Sequence, residues 1–198
     1  MQKYLDKYQD RFLLLKPFLK MISEGKFFTG IFSLFLRILA VITLLGFLFI
    51  TFKLWQGVAS GFDVKLFFAS FFIQLILIVL VFMVLNILLI RANDIYTLPL
   101  ATDYIVIPIF VIVAKMLGEI MAVFYALMGI AAGLAIWIVG SLPMQAPGMS
   151  AISGGTGFAG GAMAILGGPI LGFICLSIFY FIAEQIGVFV DIARNTRK

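Results

Sequence analysis

Five polar side chains interrupt otherwise apolar stretches of the sequence, and their types suit the binding of an ion, a proton or a lipid headgroup. They are Arg37, Asn86, Lys115, Glu119 and Glu184. Each of Arg37, Asn86, Glu119 and Glu184 lies 18–20 residues from one end of its stretch, which is about 27–30 Å along a helix. Lys115 lies one helical turn from Glu119, on the same face. The sequence therefore predicts one polar layer shared by four helices.

Two interpretations of this polar layer stay open. Charges inside a membrane are costly and usually pair, and the two cations and two carboxylates of the layer sum to zero. A salt-bridge layer that fixes the register of the helices is the simpler interpretation. The functional alternative is a gate or relay for an ion, a proton or a lipid headgroup.

A second chemical signal is the glycine-rich run 153-SGGTGFAGG-161, in which Gly155, Gly157 and Gly160 have the spacing of a dinucleotide-binding loop. That loop follows a β-strand and precedes an acidic residue about 20 positions further on. The run has neither neighbour. It therefore indicates a glycine-dense turn and no nucleotide site.

Other catalytic chemistry lacks its residues. The sequence contains no histidine and one cysteine, Cys175, so the most common general base and the most common zinc ligand are missing. We expect no catalytic residues, no metal, no cofactor and no nucleic-acid partner, and hence a protein that is not an enzyme.

Composition indicates the elements that position these residues. Of the 198 residues, 64% are hydrophobic and 12% are charged, against about 45–50% and 25% in a soluble domain. Four apolar stretches, at 31–55, 66–90, 104–138 and 165–191, each exceed the ~20 residues that cross a bilayer. The predicted fold class is all-α: an integral membrane protein with four transmembrane helices arranged as two helical hairpins.

The distribution of basic residues predicts the orientation. Ten lysine and arginine residues lie on one side of the predicted membrane, while only Lys53 and Lys65 lie on the other. The positive-inside rule then places both termini in the cytoplasm. The predicted regions are a cytoplasmic segment at 1–28, a first hairpin at 29–92 and a second hairpin at 93–198 with a glycine-rich external loop at 140–164.

Two segments of the sequence each allow two structural interpretations. Segment 1–28 mixes lysines with leucines and phenylalanines, which favours a basic amphipathic helix on the inner membrane surface, bound to anionic lipid. It could instead be a solvated extension that leads into the bundle. The third stretch is long for one upright span, so it is either one long helix or broken near Pro108.

Small residues predict where two helices pack. Gly129 and Gly133 have the G-x-x-x-G spacing, as do Gly168 and Gly172, and this spacing lets helix backbones approach closely. The two pairs lie at matching depth in the third and fourth stretches. We expect a tightly packed antiparallel hairpin, with one of these faces alternatively binding another copy or subunit.

The C-terminal half, about residues 104–198, resembles a family of small bacterial membrane proteins of unknown function. That family has a Gly-rich helical hairpin, whose second helix ends in an acid, an apolar run, Phe-x-x-Ile and an Asn. Glu184, Phe189, Ile192 and Asn195 fill those places here. The family usually has one hairpin, so the first hairpin here is a departure or a duplication. The resemblance implies a bacterial inner-membrane location and no mechanism.

These observations lead to two functional hypotheses. The first is a non-enzymatic subunit or scaffold of a larger membrane assembly, in contact with lipid and with other membrane subunits or further copies of itself. The alternative is a small ion or solute channel or transporter that uses the polar layer near the cytoplasmic interface.

Overall fold

The computed structural model describes residues 26–61, 63–99, 106–140 and 157–196. These residues form four α-helices: α1 (Lys26–Ser60), α2 (Val64–Tyr96), α3 (Val106–Val139) and α4 (Gly157–Thr196). No β-strand occurs among them. Each helix is long and apolar enough to cross a membrane. The predicted four-helix membrane fold is thereby confirmed, while the segment before residue 26 lies outside the described residues.

The helices are longer than a bilayer requires. They contain 33 to 40 residues, or about 50–60 Å of helix. Because the hydrocarbon core of a bilayer is only about 30 Å thick, each helix must tilt or extend into the headgroup region.

The helix boundaries follow from local chemistry. Asp63 caps the start of α2, where its carboxylate accepts a hydrogen bond from the backbone N–H of Lys65 at 2.9 Å. Pro108 lies in the first turn of α3, where its missing N–H leaves no helical hydrogen bond unmade. From Val106 onward, the third apolar stretch is therefore one continuous helix through this proline.

The fourth helix begins earlier than the predicted span at 165–191. Gly157, with φ of 78°, opens it, so residues 157–164 of the predicted loop are helical. Glycine disfavours a helix interior in isolation. Here Gly160, Gly161 and Ala164 are buried, and packing stabilises a turn that intrinsic preference opposes.

The four helices pack in chain order. Extensive contacts join α1 to α2, α2 to α3 and α3 to α4, and α1 also touches α3. The α3–α4 contacts pair Gly118 with Phe179, Gly129 with Gly168, and Gly133 with Gly161, so these two helices run antiparallel. As a result α1 and α4 are the two end helices of a row.

A buried apolar cluster links the two hairpins at one end of the bundle, measured along the helix axes. It contains Leu36, Ala40, Leu88, Ala92, Ile95, Ile109 and Met116. These residues come from the first half of α1, the last third of α2 and the first third of α3. The cluster therefore lies at the end that the basic residues predict to be cytoplasmic.

Candidate functional site: a charged cluster between α2, α3 and α4

An ion pair joins α2 to α3 next to the apolar cluster. The guanidinium of Arg91 donates from Nε to Glu119 Oε2 at 3.0 Å, and from Nη2 to the other carboxylate oxygen, Oε1. The two side chains are only 22% and 19% exposed. A bidentate pair of this kind fixes both position and orientation, so it sets the register of α2 against α3.

Three further side chains complete the charged cluster, which is defined as Arg91, Asp94, Lys115, Glu119 and Tyr180. Arg91 Nη1 donates to Asp94 Oδ2 at 2.9 Å. The hydroxyl of Tyr180, on α4, donates to Glu119 Oε1 at 2.7 Å. The Lys115 ammonium lies 5.4 Å from the centre of the Tyr180 ring, within the range of a cation–π contact.

A glycine brings α4 within reach of Glu119. A Cβ atom placed on Gly118 would lie 2.7 Å from the Cβ of Phe179, closer than side chains normally approach. Phe179 precedes Tyr180, so the close approach at Gly118 also positions the Tyr180 hydroxyl against the carboxylate. The charged cluster thus depends on a residue that carries no charge.

The structure brings two of the five residues of the predicted polar layer together. Glu119 and Lys115 both belong to the charged cluster. Asn86 is exposed and donates to the backbone carbonyl of Phe82, in its own helix, at 2.7 Å. Arg37 and Glu184 are exposed, on α1 and α4 respectively, and no hydrogen bond or ion pair joins either to the charged cluster.

The four predicted packing glycines all lie at the α3–α4 contact. A Cβ on Gly129 would lie 2.7 Å from Gly168 Cα, and one on Gly168 would lie 2.6 Å from the Tyr125 carbonyl oxygen. A Cβ on Gly172 would lie 2.6 Å from the Ala122 carbonyl oxygen, and one on Gly133 would collide with Ile165 and the carbonyl of Gly161. Together these glycines form the glycine seam, in which backbone meets backbone.

Sequence reasoning missed Arg91, Gly118 and Tyr180. Arg91 is one of the ten basic residues predicted to lie on the cytoplasmic side of the membrane, whereas it is part of α2, which continues to Tyr96. The spacing between Arg91 and Asp94 could have indicated that Arg91 lies in the helix, since residues three apart on a helix are neighbours. Gly118 lies three residues from Lys115 and directly before Glu119, and a glycine beside two charges in an apolar helix marks a close approach. Tyr180 gave no distinguishing signal among the aromatic residues of the fourth stretch.

The arrangement is suited to holding helices together. The Glu119 carboxylate accepts three hydrogen bonds, two from Arg91 and one from Tyr180, so both of its oxygens are engaged. Among the described residues, no group of three or more Cys, Asp or Glu side chains is placed to bind a metal ion. Glu119 therefore connects three helices through one side chain.

The resemblance of residues 104–198 to a family of bacterial membrane proteins stays a prediction. No family model, curated protein or solved structure matches this chain.

Proposed function

We propose that the protein is a non-enzymatic integral membrane subunit or scaffold of a larger membrane assembly. It presents a rigid helical surface to its partners and carries out no chemical step. The observation that carries this proposal is the complete engagement of Glu119 by Arg91 and Tyr180.

That engagement favours a structural role over transport. A relay or gate needs an ionisable group that can exchange partners during the transport cycle. Glu119 is instead bound from α2 and α4 at once, and the glycine seam fixes α3 against α4 along much of their length. Both contacts resist the relative helix movements that transport requires.

The proposal includes a location and a lipid contact. The excess of basic residues before α1, near the end of α4 and at Arg91 in the last part of α2 supports an orientation with both termini in the cytoplasm. The resemblance of residues 104–198 supports a bacterial inner membrane. The lysines before residue 26 support binding to anionic lipid at that surface.

Extraction into lipid nanodiscs followed by native mass spectrometry tests the proposal. We expect a complex heavier than the 21.9 kDa chain, composed of further membrane subunits or of further copies. Recovery of a lone monomer from gently extracted membranes would contradict it.

A flux assay in proteoliposomes tests the transport alternative directly. Ion or solute flux through the wild-type protein that Glu184→Gln changes, with assembly intact, would replace the scaffold proposal with a channel or transporter. The scaffold proposal expects no flux above that of empty liposomes from either protein.

A further inference from the structure

Two opposite charges of the predicted polar layer, Arg37 and Glu184, have no partner among the described residues. Arg37 on α1 and Glu184 on α4 are both exposed, and neither has a hydrogen bond or an ion pair with another described residue. Large apolar side chains surround both charges: Leu34 and Ile38 flank Arg37, and Phe181 and Val188 flank Glu184. An ionised side chain that faces lipid is costly and usually finds an opposite charge.

The two charges lie at the same level of the row. The rings of Phe32 on α1 and Phe110 on α3 lie 6.4 Å apart, centroid to centroid, and α1 and α3 run in the same direction, so Arg37, five residues beyond Phe32, lies near the level of Met116. Glu119 is one turn from Met116 towards the far end of α3, and it binds Tyr180. Glu184 is one turn from Tyr180 along α4, in the direction that leads back towards the start of α3. Glu184 therefore lies near the level of Met116.

The two charges also lie on the two end helices of the row. α1 packs on α2 and touches α3, whereas α4 packs on α3. Arg37 and Glu184 of one molecule therefore cannot form a direct pair across the row. Two copies inserted side by side with the same orientation bring the α1 edge of one beside the α4 edge of the other.

We propose that this protein associates with a second copy of itself through an ion pair between Arg37 of one copy and Glu184 of the next. The argument is charge complementarity at equal depth, between exposed side chains on the two end helices of the row. The contact joins two different surfaces, so it is heterologous, and successive copies form a ring if their rotation closes. The inference rests on the proposed scaffold function and names a copy of this chain as the partner.

Charge reversal tests this contact because it can be complemented between molecules. Two variants, Arg37→Glu and Glu184→Arg, are reconstituted separately and as a mixture, and self-association is measured by energy transfer between labelled copies in liposomes. Each variant alone places like charges at every contact, so its association should fall by about tenfold or more. In the mixture, every contact between unlike variants again joins opposite charges, and energy transfer should return.

Lys53→Glu is the matched control, since it reverses another charge on α1 whose ammonium contacts Gln56 in the same helix. It should leave association at the wild-type level. Association that survives both single reversals, or that stays lost in the mixture, would overturn the inference. The second result would mean that the two charges serve the fold of one molecule, or that Arg37 binds lipid phosphate rather than Glu184.

The outcomes separate this inference from the proposed function. If the wild-type protein forms a complex and the charge reversals have no effect on it, the scaffold function stands and the contact between Arg37 and Glu184 is wrong. A wild-type protein that is monomeric in liposomes and carries no other subunit on extraction contradicts both.

Discussion

The two hairpins are built from helices of similar length and apolarity, yet they pack in different ways. In the α3–α4 hairpin, Gly129 and Gly168 lie so close that a Cβ on one would approach the Cα of the other to 2.7 Å. In the α1–α2 hairpin, a Cβ on Gly46 or Gly57 would meet no neighbouring group within 4 Å. The second hairpin packs backbone on backbone, and the first packs through side chains.

The comparison shows that a glycine promotes helix packing only where it faces a neighbouring helix. Helix association in lipid depends on van der Waals contact, because lipid tails are as apolar as the helices. Glycines at matching depths on both partners, as in the glycine seam, permit that contact. A glycine such as Gly46, which faces open space, contributes none and only weakens its own helix.

Polar contacts are also stronger at the second hairpin than within the first. The charged cluster gives Glu119 a bidentate ion pair and a third hydrogen bond. Between α1 and α2, Gln74 Nε2 donates to Thr51 Oγ1 at 3.2 Å, while Gln74 Oε1 is buried without a hydrogen-bond partner among the described residues. We therefore expect α3–α4 to be the rigid half of the protein.

The largest effect should come from filling the glycine seam. Gly168→Val places branched carbon where Gly129 Cα and the Tyr125 carbonyl oxygen already lie within 2.6–2.7 Å of a Cβ, so α4 has to separate from α3. We expect loss of the folded protein, measured as aggregation during detergent extraction. Gly168→Ala should fold but lose about 1–3 kcal/mol, as overpacked sites do.

Gly46→Ala is the matched control for the seam. It adds the same methyl group to a glycine within a membrane helix, but into open space. We expect its thermal unfolding midpoint to equal or exceed that of the wild-type protein, because alanine favours a helix more than glycine does. Equal midpoints for Gly168→Ala and Gly46→Ala would show that the seam is not tightly packed in the membrane.

The next effect should come from removing the carboxylate that joins three helices. Glu119→Ala leaves the Arg91 guanidinium with Asp94 alone and removes the acceptor of Tyr180. Hydrogen bonds to charged groups contribute about 1.5–3 kcal/mol each, so we expect the free energy of unfolding to fall by about that amount or more. Unfolding in mixed micelles with increasing denaturing detergent measures the change.

Glu184→Ala provides the control, because Glu184 lies in the same membrane region, is exposed and has no partner among the described residues. In monomeric protein it should change the free energy of unfolding by less than about 0.5 kcal/mol. Tyr180→Phe, which removes one of the three hydrogen bonds to Glu119, should fall between the two. If Glu119→Ala and Glu184→Ala are equally mild, Glu119 does not hold the helices together.

Much of this fold follows from the sequence because apolar runs long enough to cross a bilayer permit few structures. The four helices follow from run length, whereas run length left it open whether the third is continuous at Pro108. The start of α4 at Gly157 did not follow, since Gly160 and Gly161 disfavour a helix until α3 packs against them. The contact between Trp137 of α3 and Gly161 of α4 forms only when the two helices pack, so the sequence of α4 alone does not predict it.

The charged cluster was only half predictable, for a related reason. Depth along each helix follows from residue counts, and it put Glu119 and Lys115 in one layer. Rotation about each helix axis does not follow from counts, and it directs Arg37 and Glu184 outward while Arg91 faces Glu119. Only the packing of α2 and α4 on α3 decides which charges meet.

The smallest effect should come from the polar contact in the first hairpin. Gln74→Leu removes a hydrogen bond to Thr51, and such bonds between membrane helices average only about 0.6 kcal/mol. It also removes the buried Gln74 Oε1, which has no partner among the described residues and whose burial is itself unfavourable. The two effects oppose each other, so we expect a free energy of unfolding within about 0.5 kcal/mol of wild type.

Thr51→Val separates the two effects, because it removes the hydrogen bond and keeps the buried Gln74 amide. It should therefore be more destabilising than Gln74→Leu. If Gln74→Leu instead costs as much as Glu119→Ala, then α1 and α2 are held by their polar contact as firmly as α3 is held by the charged cluster, and the contrast between the hairpins reduces to the glycine seam alone.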